Sequence, residues 1–384
     1  MNKVAVVGVG MSKFGIRKGV SLRELAFEAS KEAIEDASIE KDEIQAVITG
    51  CASDEFAMAN QPGAAIVDYL GLNPKPHLRV EAACASGSMA VRSGWMTIQS
   101  GLADVVLVNG VEKMTEVSTS RATDIMGRFG DSTWEYPFGM SFPGYYAMLA
   151  TNYLSTYKVS ERSDLAKVAV KNHYYGTLNP KAHMQKLVTE EQALSGFIVA
   201  YPLRLHDCSL ISDGASSIIM VSKKVAKRFE KPVWITGLGA GSETHQIGRR
   251  KSLTSLESAC VAADQAYKMA GITPKDVGVA VVHDCFTIAE LIAYEDLGFC
   301  GRGEAPMLIR NKETYLGGRI PVNLDGGLKA KGHPIGATGV AMTGEIVKQL
   351  REECGKRQVK GAKIGLSHNV GGSGQFTAVH IYEV

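Results

Sequence analysis

The 384-residue chain has no CxxC pair, no apolar run of bilayer length and no block of like charge. Its seven cysteines are scattered and odd in number, which argues against a disulfide framework or a zinc ribbon. The opening MNKVAVVGVGMSKFG lacks the apolar segment and cleavage site of a secretory signal. No stretch is long and apolar enough to span a membrane. Lys plus Arg number 42 against 40 Asp plus Glu, a formal charge of +2, so bulk nucleic-acid binding is not expected. A reducing cytoplasm is the expected setting, with no metal, membrane or nucleic acid as partner.

What is present is α/β patterning. The length exceeds the usual size of one core, so two domain-sized units are expected. KVAVVGVG reads as a buried strand. In SLRELAFEASKEAIED, Ser21 and Glu24 form a capping box, and Leu22, Leu25, Ala26, Ala29 and Ala33 share one helical face. EIQAVITG is the next strand, and this strand–helix–strand order predicts a parallel sheet. KPVWITGLGAG, SLESACVAADQAYKMAG and VGVAVVHD return in the same order late in the chain. Ser255, Leu256, Ile272, Val281 and Val282 echo Ser21, Leu22, Ile39, Val47 and Ile48. Either duplication or generic α/β patterning produces such an echo; duplication predicts halves of 1–230 and 231–384 meeting near Glu230–Lys231. The tyrosine-rich stretch from about 117 to 202 reads as an insertion between strands ADVVLVNG and SSIIMVS. Such insertions cover a site or form a partner surface.

Four segments carry candidate chemistry. In HLRVEAACASGSMA, Cys84 stands where an extended stretch meets a helical one. A helix N-terminus there lowers a thiol's pKa, and the small neighbours admit a substrate; a structural cysteine among small residues reads equally well. In KAKGHPIGATG, His333 lies in a glycine-bounded turn before a helix, with Pro334 suited to the first turn. A neutral imidazole there takes a thiol proton and later polarises a carbonyl. VGVAVVHDCF sets His283, Asp284 and Cys285 at a strand end, where ligands collect in open sheets. KIGLSHNVGGSGQFTAVHIYEV reads as a hairpin with His368 just ahead of its glycines.

Through the motifs AACASGSMA, GHPIGATG, HDCF and HNVGGSG, the chain resembles the thiolase family over nearly its whole length. The resemblance implies two similar α/β halves, five layers deep, with a loop domain inserted in the first. It implies a ping-pong reaction in which Cys84 is acylated by an acyl-CoA and an enolate of acetyl-CoA then attacks the acyl-enzyme. His333 would activate Cys84 and help bind the thioester oxygen. The commonest bacterial pattern has a cysteine where His368 stands and Asn-Glu-Ala-Phe where HDCF stands. The HDCF form looks like the sterol-carrier-protein branch and its archaeal relatives. There the acid/base task is expected to pass to Cys285, with His368 the other candidate, and His283 and His368 shape the oxygen-binding holes. Backbone N–H groups of Cys84 and Val370 complete them.

For coenzyme A, DCSLISDGASSI resembles the family segment along the pantetheine, which points to Cys208, Ser209 and Ile211; Lys331 is a further candidate, or else a solvated surface charge. The resemblance implies no tightly bound cofactor, a homodimer or homotetramer, and acetoacetyl-CoA formation for the mevalonate route. It also implies association with hydroxymethylglutaryl-CoA synthase and a small zinc-containing bridging protein. Competing expectations are cleavage of longer 3-ketoacyl chains, a decarboxylating ketoacyl synthase, which needs no acid/base cysteine, and a silent scaffold subunit.

Overall fold

The computed structural model describes residues 3–158 and 160–384. Strand β1 (Val4–Met11) leads into helix α1 (Leu22–Ala37), whose start is set by the expected capping box: the Glu24 carboxylate accepts the Ser21 N–H at 2.7 Å. The predicted face of α1 is buried throughout. Gly8 and Gly10 let that face approach. A Cβ on either would lie 2.2 Å from the Ala33 carbonyl oxygen or 2.1 Å from that of Ala29, so only glycine brings helix backbone onto strand backbone here. β2 (Ala46–Gly50), α2 (Pro62–Tyr69), β3 (His77–Val80), α3 (Ser86–Gln99) and β4 (Val105–Lys113) follow. The insertion contributes α4 (Thr119–Gly127), α5 (Phe142–Thr156) and α6 (Arg162–Thr177) before β5 (Asp213–Ser222) closes the first half.

The second half repeats the plan with β6 (Val233–Ser242), α7 (Glu257–Ala270), β7 (Val279–Val282), α8 (Thr287–Asp296), α9 (Ile335–Leu350), β8 (Ile364–Gly371) and β9 (Phe376–Glu383). The strands run β3-β2-β4-β5-β1-β6-β9-β8-β7. Each half therefore has its first strand beside its last, and its second beside its last but one. The edge place held by β3 is filled in the second half by Val322, bridged in parallel to Ala280. Glycine-mediated packing recurs too: Cβ atoms on Gly239 and Gly241 would meet the carbonyl oxygens of Ala262 and Ser258 in α7. The echo seen in sequence thus has a structural counterpart in both strand order and helix–strand contact.

The sheet is mixed where a parallel one was expected. β2 pairs in parallel with β3 and β4, and β7 with β8, as helix crossovers require. β8 and β9 are joined by a tight glycine turn, so they run antiparallel, and β5 likewise returns antiparallel to β4.

α3 and α9 form the central layer between the two half-sheets, with α1 and α2 outside the first and α7 outside the second, five layers in all. The central helices cross at glycines: a Cβ on Gly87 would stand 2.8 Å from the Gly336 oxygen, and one on Gly339 would stand 2.1 Å from the Ser88 nitrogen. That crossing brings the N-termini of α3 and α9 together, and with them the residues just before each helix. No helix among the described residues is long and apolar enough to cross a membrane.

Candidate active site

Cys84 lies in a single 3-10 turn, Ala83–Ala85, between β3 and α3. Ala83 sits at φ +48°, a left-handed conformation that costs a non-glycine residue about 1–2 kcal/mol. Local hydrogen bonds hold it. The Ala83 N–H donates to Glu81 at 2.6 Å, the Ser86 hydroxyl donates to the Ala83 carbonyl at 2.6 Å, and the Ala82 N–H donates to Ser86 Oγ at 2.9 Å. The small residues of CASGS are thus the material of a strained elbow that presents the sulfur.

His333 follows a π-helical turn, Gly327–Lys331, and Gly332 at φ +106°, immediately ahead of α9. Its Nδ1 is 2.7 Å from Thr338 Oγ1, whose own proton goes to the Pro334 carbonyl at 3.0 Å. Thr338 must therefore accept, which fixes the imidazole proton on Nδ1 and leaves Nε2 with a lone pair. Nε2 has no partner among the described residues.

His283 has the opposite tautomer. Asn369 Nδ2 donates to the Cys84 carbonyl at 3.1 Å, so the same amide nitrogen is the donor to His283 Nδ1, also at 3.1 Å. The His283 proton is then on Nε2, again without a partner among the described residues. The two rings meet edge to face with centroids 5.1 Å apart, and the Cys84 sulfur and one nitrogen from each ring lie within 4.8 Å of one another. Nucleophile, base and hydrogen-bond donor are therefore gathered in one place, each in the form its task needs.

Cys285 joins them on the wall of a cavity of about 180 Å³ that is also lined by Cys84, His333 and Gly372. Its carbonyl accepts the Ser209 N–H at 2.8 Å, and Cys208 bridges Phe286 in antiparallel fashion. The Cys208–Ile211 segment is thereby laid against the HDCF strand end. Cys208, Ser209 and Ile211 all line the cavity, and Met114, Met126, Phe129 and Phe142 give it an apolar side.

The resting groups are uncharged. Burial pushes the Cys84 thiol up to about 12, against the expectation that a helix N-terminus would lower it; an N–H bond from Gly372 pulls the other way without prevailing. Burial raises the Cys285 thiol well above its ordinary value. Burial, then the nearby Lys331 charge, takes His333 down to about 3. A thiol facing a neutral imidazole transfers its proton only as a bond forms at sulfur, so attack and proton transfer are coupled.

Three placements differ from the sequence expectations. Lys331 is fully buried and ion-paired with Asp325, because the π turn points it inward; it does not line the cavity, and neither does it carry a solvated surface charge. Gly372 in the hairpin turn lines the cavity with Cys84, while Val370 lies within β8, paired with Thr377 and away from the cavity wall. His368 is not on that wall either; its Nδ1 accepts the His283 backbone N–H at 3.4 Å, so it backs the neighbouring histidine.

Sequence reasoning missed four supports. Thr338 and Asn369 stand inside the motifs already singled out, and their hydrogen-bonding side chains were the available signal. Glu112, a carboxyl ending the apolar strand β4, was legible as an anomaly. Tyr146, in the insertion, gave no signal beyond its aromatic surroundings.

Comparison with known proteins agrees with this geometry. Residues 4–224 match the family described as Thiolase, N-terminal domain, and residues 239–384 match Thiolase C-terminal domain-like. The chain is 44% identical over 384 residues to an acetyl-CoA acetyltransferase of Methanothermobacter thermautotrophicus, covering 100% of both. It is 32% identical over 392 residues to human sterol carrier protein 2, covering 97% of this chain and 70% of that one. A solved structure of an Ltp2-ChsH2(DUF35) aldolase is 27% identical and superposes with a TM-score of 0.86 over 100% of this chain and 98% of that one. Thiolases act on coenzyme A thioesters as substrates. The chain belongs to the thiolase family and is an acyltransferase enzyme.

Proposed function

We propose that this enzyme is an acetyl-CoA C-acetyltransferase, condensing two acetyl-CoA to acetoacetyl-CoA and free coenzyme A. The observation that carries the reading is the gathering of Cys84, His333 and Cys285 on one small apolar cavity beside the Cys208–Ile211 segment. Cys84 Sγ attacks the thioester as its proton passes to His333 Nε2. The oxyanion is held by backbone N–H groups of Cys84 and Gly372. Cys285 protonates the departing coenzyme A thiolate and so becomes a thiolate itself. It then removes an α-proton from the second acetyl-CoA, whose enolate oxygen is met by Nε2–H of His283 and of the now protonated His333. The enolate carbon attacks the acetyl group on Cys84, and His333 returns its proton to the released sulfur. Protons balance over the cycle.

A cavity of about 180 Å³ that must take acyl groups and the thiol end of pantetheine favours short acyl chains over long ones. The 44% identity to an archaeal acetyl-CoA acetyltransferase points the same way. A cysteine at the strand end argues against the decarboxylating synthase, since loss of carbon dioxide needs no such base. Supply of the mevalonate route, a cytoplasmic setting and a homodimer or homotetramer complete the reading. So does a complex with hydroxymethylglutaryl-CoA synthase and a small zinc-containing bridging protein; the solved Ltp2-ChsH2(DUF35) aldolase is likewise named for two components.

The test is mass spectrometry of the intact enzyme after exposure to acetyl-CoA. One acetyl group on Cys84, absent in Cys84→Ala, and release of acetoacetyl-CoA are expected. No adduct and no product would favour a silent scaffold, and a strong preference for long 3-ketoacyl-CoA would replace condensation by chain cleavage.

A further inference from the structure

Among the described residues four lysines are buried: Lys113, Lys171, Lys329 and Lys331 are each 1% exposed or less. Three of them are ion-paired, Lys113 with Asp213 and Glu116, Lys171 with Glu290, and Lys331 with Asp325. Lys329 has no carboxylate within ion-pair distance among the described residues, and its ammonium donates to the backbone carbonyl of Cys208. The carboxyls beside its contacts serve other donors. Asp207 pairs with Arg162 and accepts from the Arg204 N–H at 2.7 Å and the Thr287 hydroxyl at 2.6 Å. Asp284 accepts from the Leu328 N–H at 2.6 Å and the Asn172 amide at 2.7 Å, and from Lys329 it takes only the backbone N–H, at 3.3 Å. A buried cation without a counter-ion is costly, and an apolar side chain would fill the same space at less cost. Packing alone therefore leaves this lysine unexplained.

What Lys329 holds is a stretch of cavity wall with no secondary structure of its own. Residues 209–212 lie between the 3-10 turn Leu205–Asp207 and β5, outside any helix or strand. Cys208, Ser209, Leu210 and Ile211 line the cavity, whereas Lys329 stands behind them, off its wall. The stretch is tied to the HDCF strand end through the Ser209 N–H, which donates to the Cys285 carbonyl at 2.8 Å. It is tied to the base through Ser212 Oγ, which accepts the His333 N–H at 3.3 Å and gives its own proton to the Leu210 carbonyl at 3.1 Å. The Lys329 bond to Cys208 is a third tie, from the turn that carries His333. We propose that Lys329 is a positioning residue for the substrate-facing stretch, its ammonium holding the Cys208 carbonyl so that Ser209, Leu210 and Ile211 keep their place on the wall. This rests on the reading of that stretch as lying along the pantetheine of a coenzyme A thioester. A wall ordered in advance need not be ordered when the ligand arrives, so the tie contributes affinity. The positive charge makes one bond strong enough to hold an otherwise irregular chain.

The experiment compares the wild-type enzyme with Lys329→Met, which keeps the apolar length of the side chain and removes the ammonium. Hydrogen exchange of the peptide spanning residues 208–212 is followed with and without coenzyme A, and coenzyme A affinity is measured by titration calorimetry. In the free variant that peptide is expected to exchange about tenfold faster, and coenzyme A is expected to slow it in both proteins. The Kd for coenzyme A is expected to rise about tenfold, the loss of one hydrogen bond to a charged group, with KM for acetyl-CoA rising in step and kcat within about threefold. The urea midpoint should hold or rise, because the unpaired charge is gone. If coenzyme A slows the wild-type peptide but the variant matches wild type in exchange and Kd, the role of Lys329 fails and the reading of the stretch stands. If coenzyme A leaves wild-type exchange unchanged, that reading fails and the proposal with it. A lowered urea midpoint with faster exchange throughout the second half, or failure to fold, marks a merely structural lysine and also overturns the proposal. A fall in kcat with Kd unchanged does the same.

Discussion

The carboxylate of Glu112, at the end of β4 in the first half, accepts the backbone N–H of Gly336 in the second half at 3.1 Å. It also accepts the N–H groups of Ala52 at 2.8 Å and Ser53 at 3.3 Å, and burial pushes it up to about 7. Gly336 is in the first turn of α9, three residues after His333. An acidic group at a helix N-terminus is favourable, and here it locks the base-bearing helix to the sheet that leads to Cys84.

Glu112→Ala strands three N–H groups, two of them buried, and is expected to cost about 3–5 kcal/mol, while Glu112→Gln, which keeps one acceptor oxygen, costs about 1–2 kcal/mol. Urea melts measure both. Because the helix also sets the His333 position, the Cys84 acetylation rate in the Gln variant is expected to fall about tenfold. Unchanged acetylation with lowered stability would show that Glu112 holds the fold without aligning the site.

The tautomer of His283 depends on a single amide. In Asn369→Asp a carboxylate faces Nδ1, so the ring proton moves there and Nε2 turns a lone pair toward the cavity. The oxygen-binding donor is then lost, and the Cys84 carbonyl loses its amide donor too, while His333 keeps its bond to Thr338. Condensation is expected to slow about 100-fold or more, with alkylation of Cys84 by iodoacetamide much less affected. Equal activity of the Asp variant would remove His283 from the donor role.

Buried histidines set the response to acid. Burial takes His333, His368 and His380 down to about 3 from an ordinary 6.5, and His283 well below it. Lowered folded-state values mean that the unfolded chain binds these protons first. The stability they contribute is complete above pH 6.5 and is lost as pH falls toward 3, at up to a few kcal/mol each. Glu112 acts oppositely: raised from 4.5 to about 7, its contribution is complete below pH 4.5 and is lost as pH rises through 7. Asp284, raised by burial and by neighbouring Glu290, shares that sign. His173, which burial takes to about 4, makes five strongly lowered histidines against these two strongly raised carboxyls; the weaker shifts, down in His183 and His206 and up in Glu243, Glu295, Asp296 and Glu353, oppose one another, so the urea midpoint is expected to drop from pH 7 to pH 5. His380→Asn, remote from the cavity, should shallow that slope without touching catalysis.

What could be read from the sequence was local. The Ser21–Glu24 cap and the buried face of α1 act within a few residues and stand as read, whereas the CASGS segment presents a thiol that burial raises where the sequence pointed to a lowered one. Thr338 fixes His333 from five positions away and was within reach. Asn369 and Glu112 work across hundreds of residues, where no spacing rule applies. Tyr146 meets Gly372 and Phe286 only because the insertion folds back over the second half. The choice between Val370 and Gly372 turned on where the β8–β9 hairpin ends, which the glycines alone do not specify.

Lys331 shows the limit most plainly. Two residues from His333, it was a candidate coenzyme A contact, but the π turn sends its ammonium to Asp325, whose carboxyl it holds low despite burial. Lys331→Met removes one partner of a buried pair and leaves the other uncompensated, a cost of about 3–5 kcal/mol. The KM for acetyl-CoA should stay within about twofold, since no bond to the nucleotide is lost. Lys331→Met combined with Asp325→Leu removes both charges and should recover much of the stability. A large rise in KM in the folded double variant would instead restore Lys331 as a coenzyme A contact.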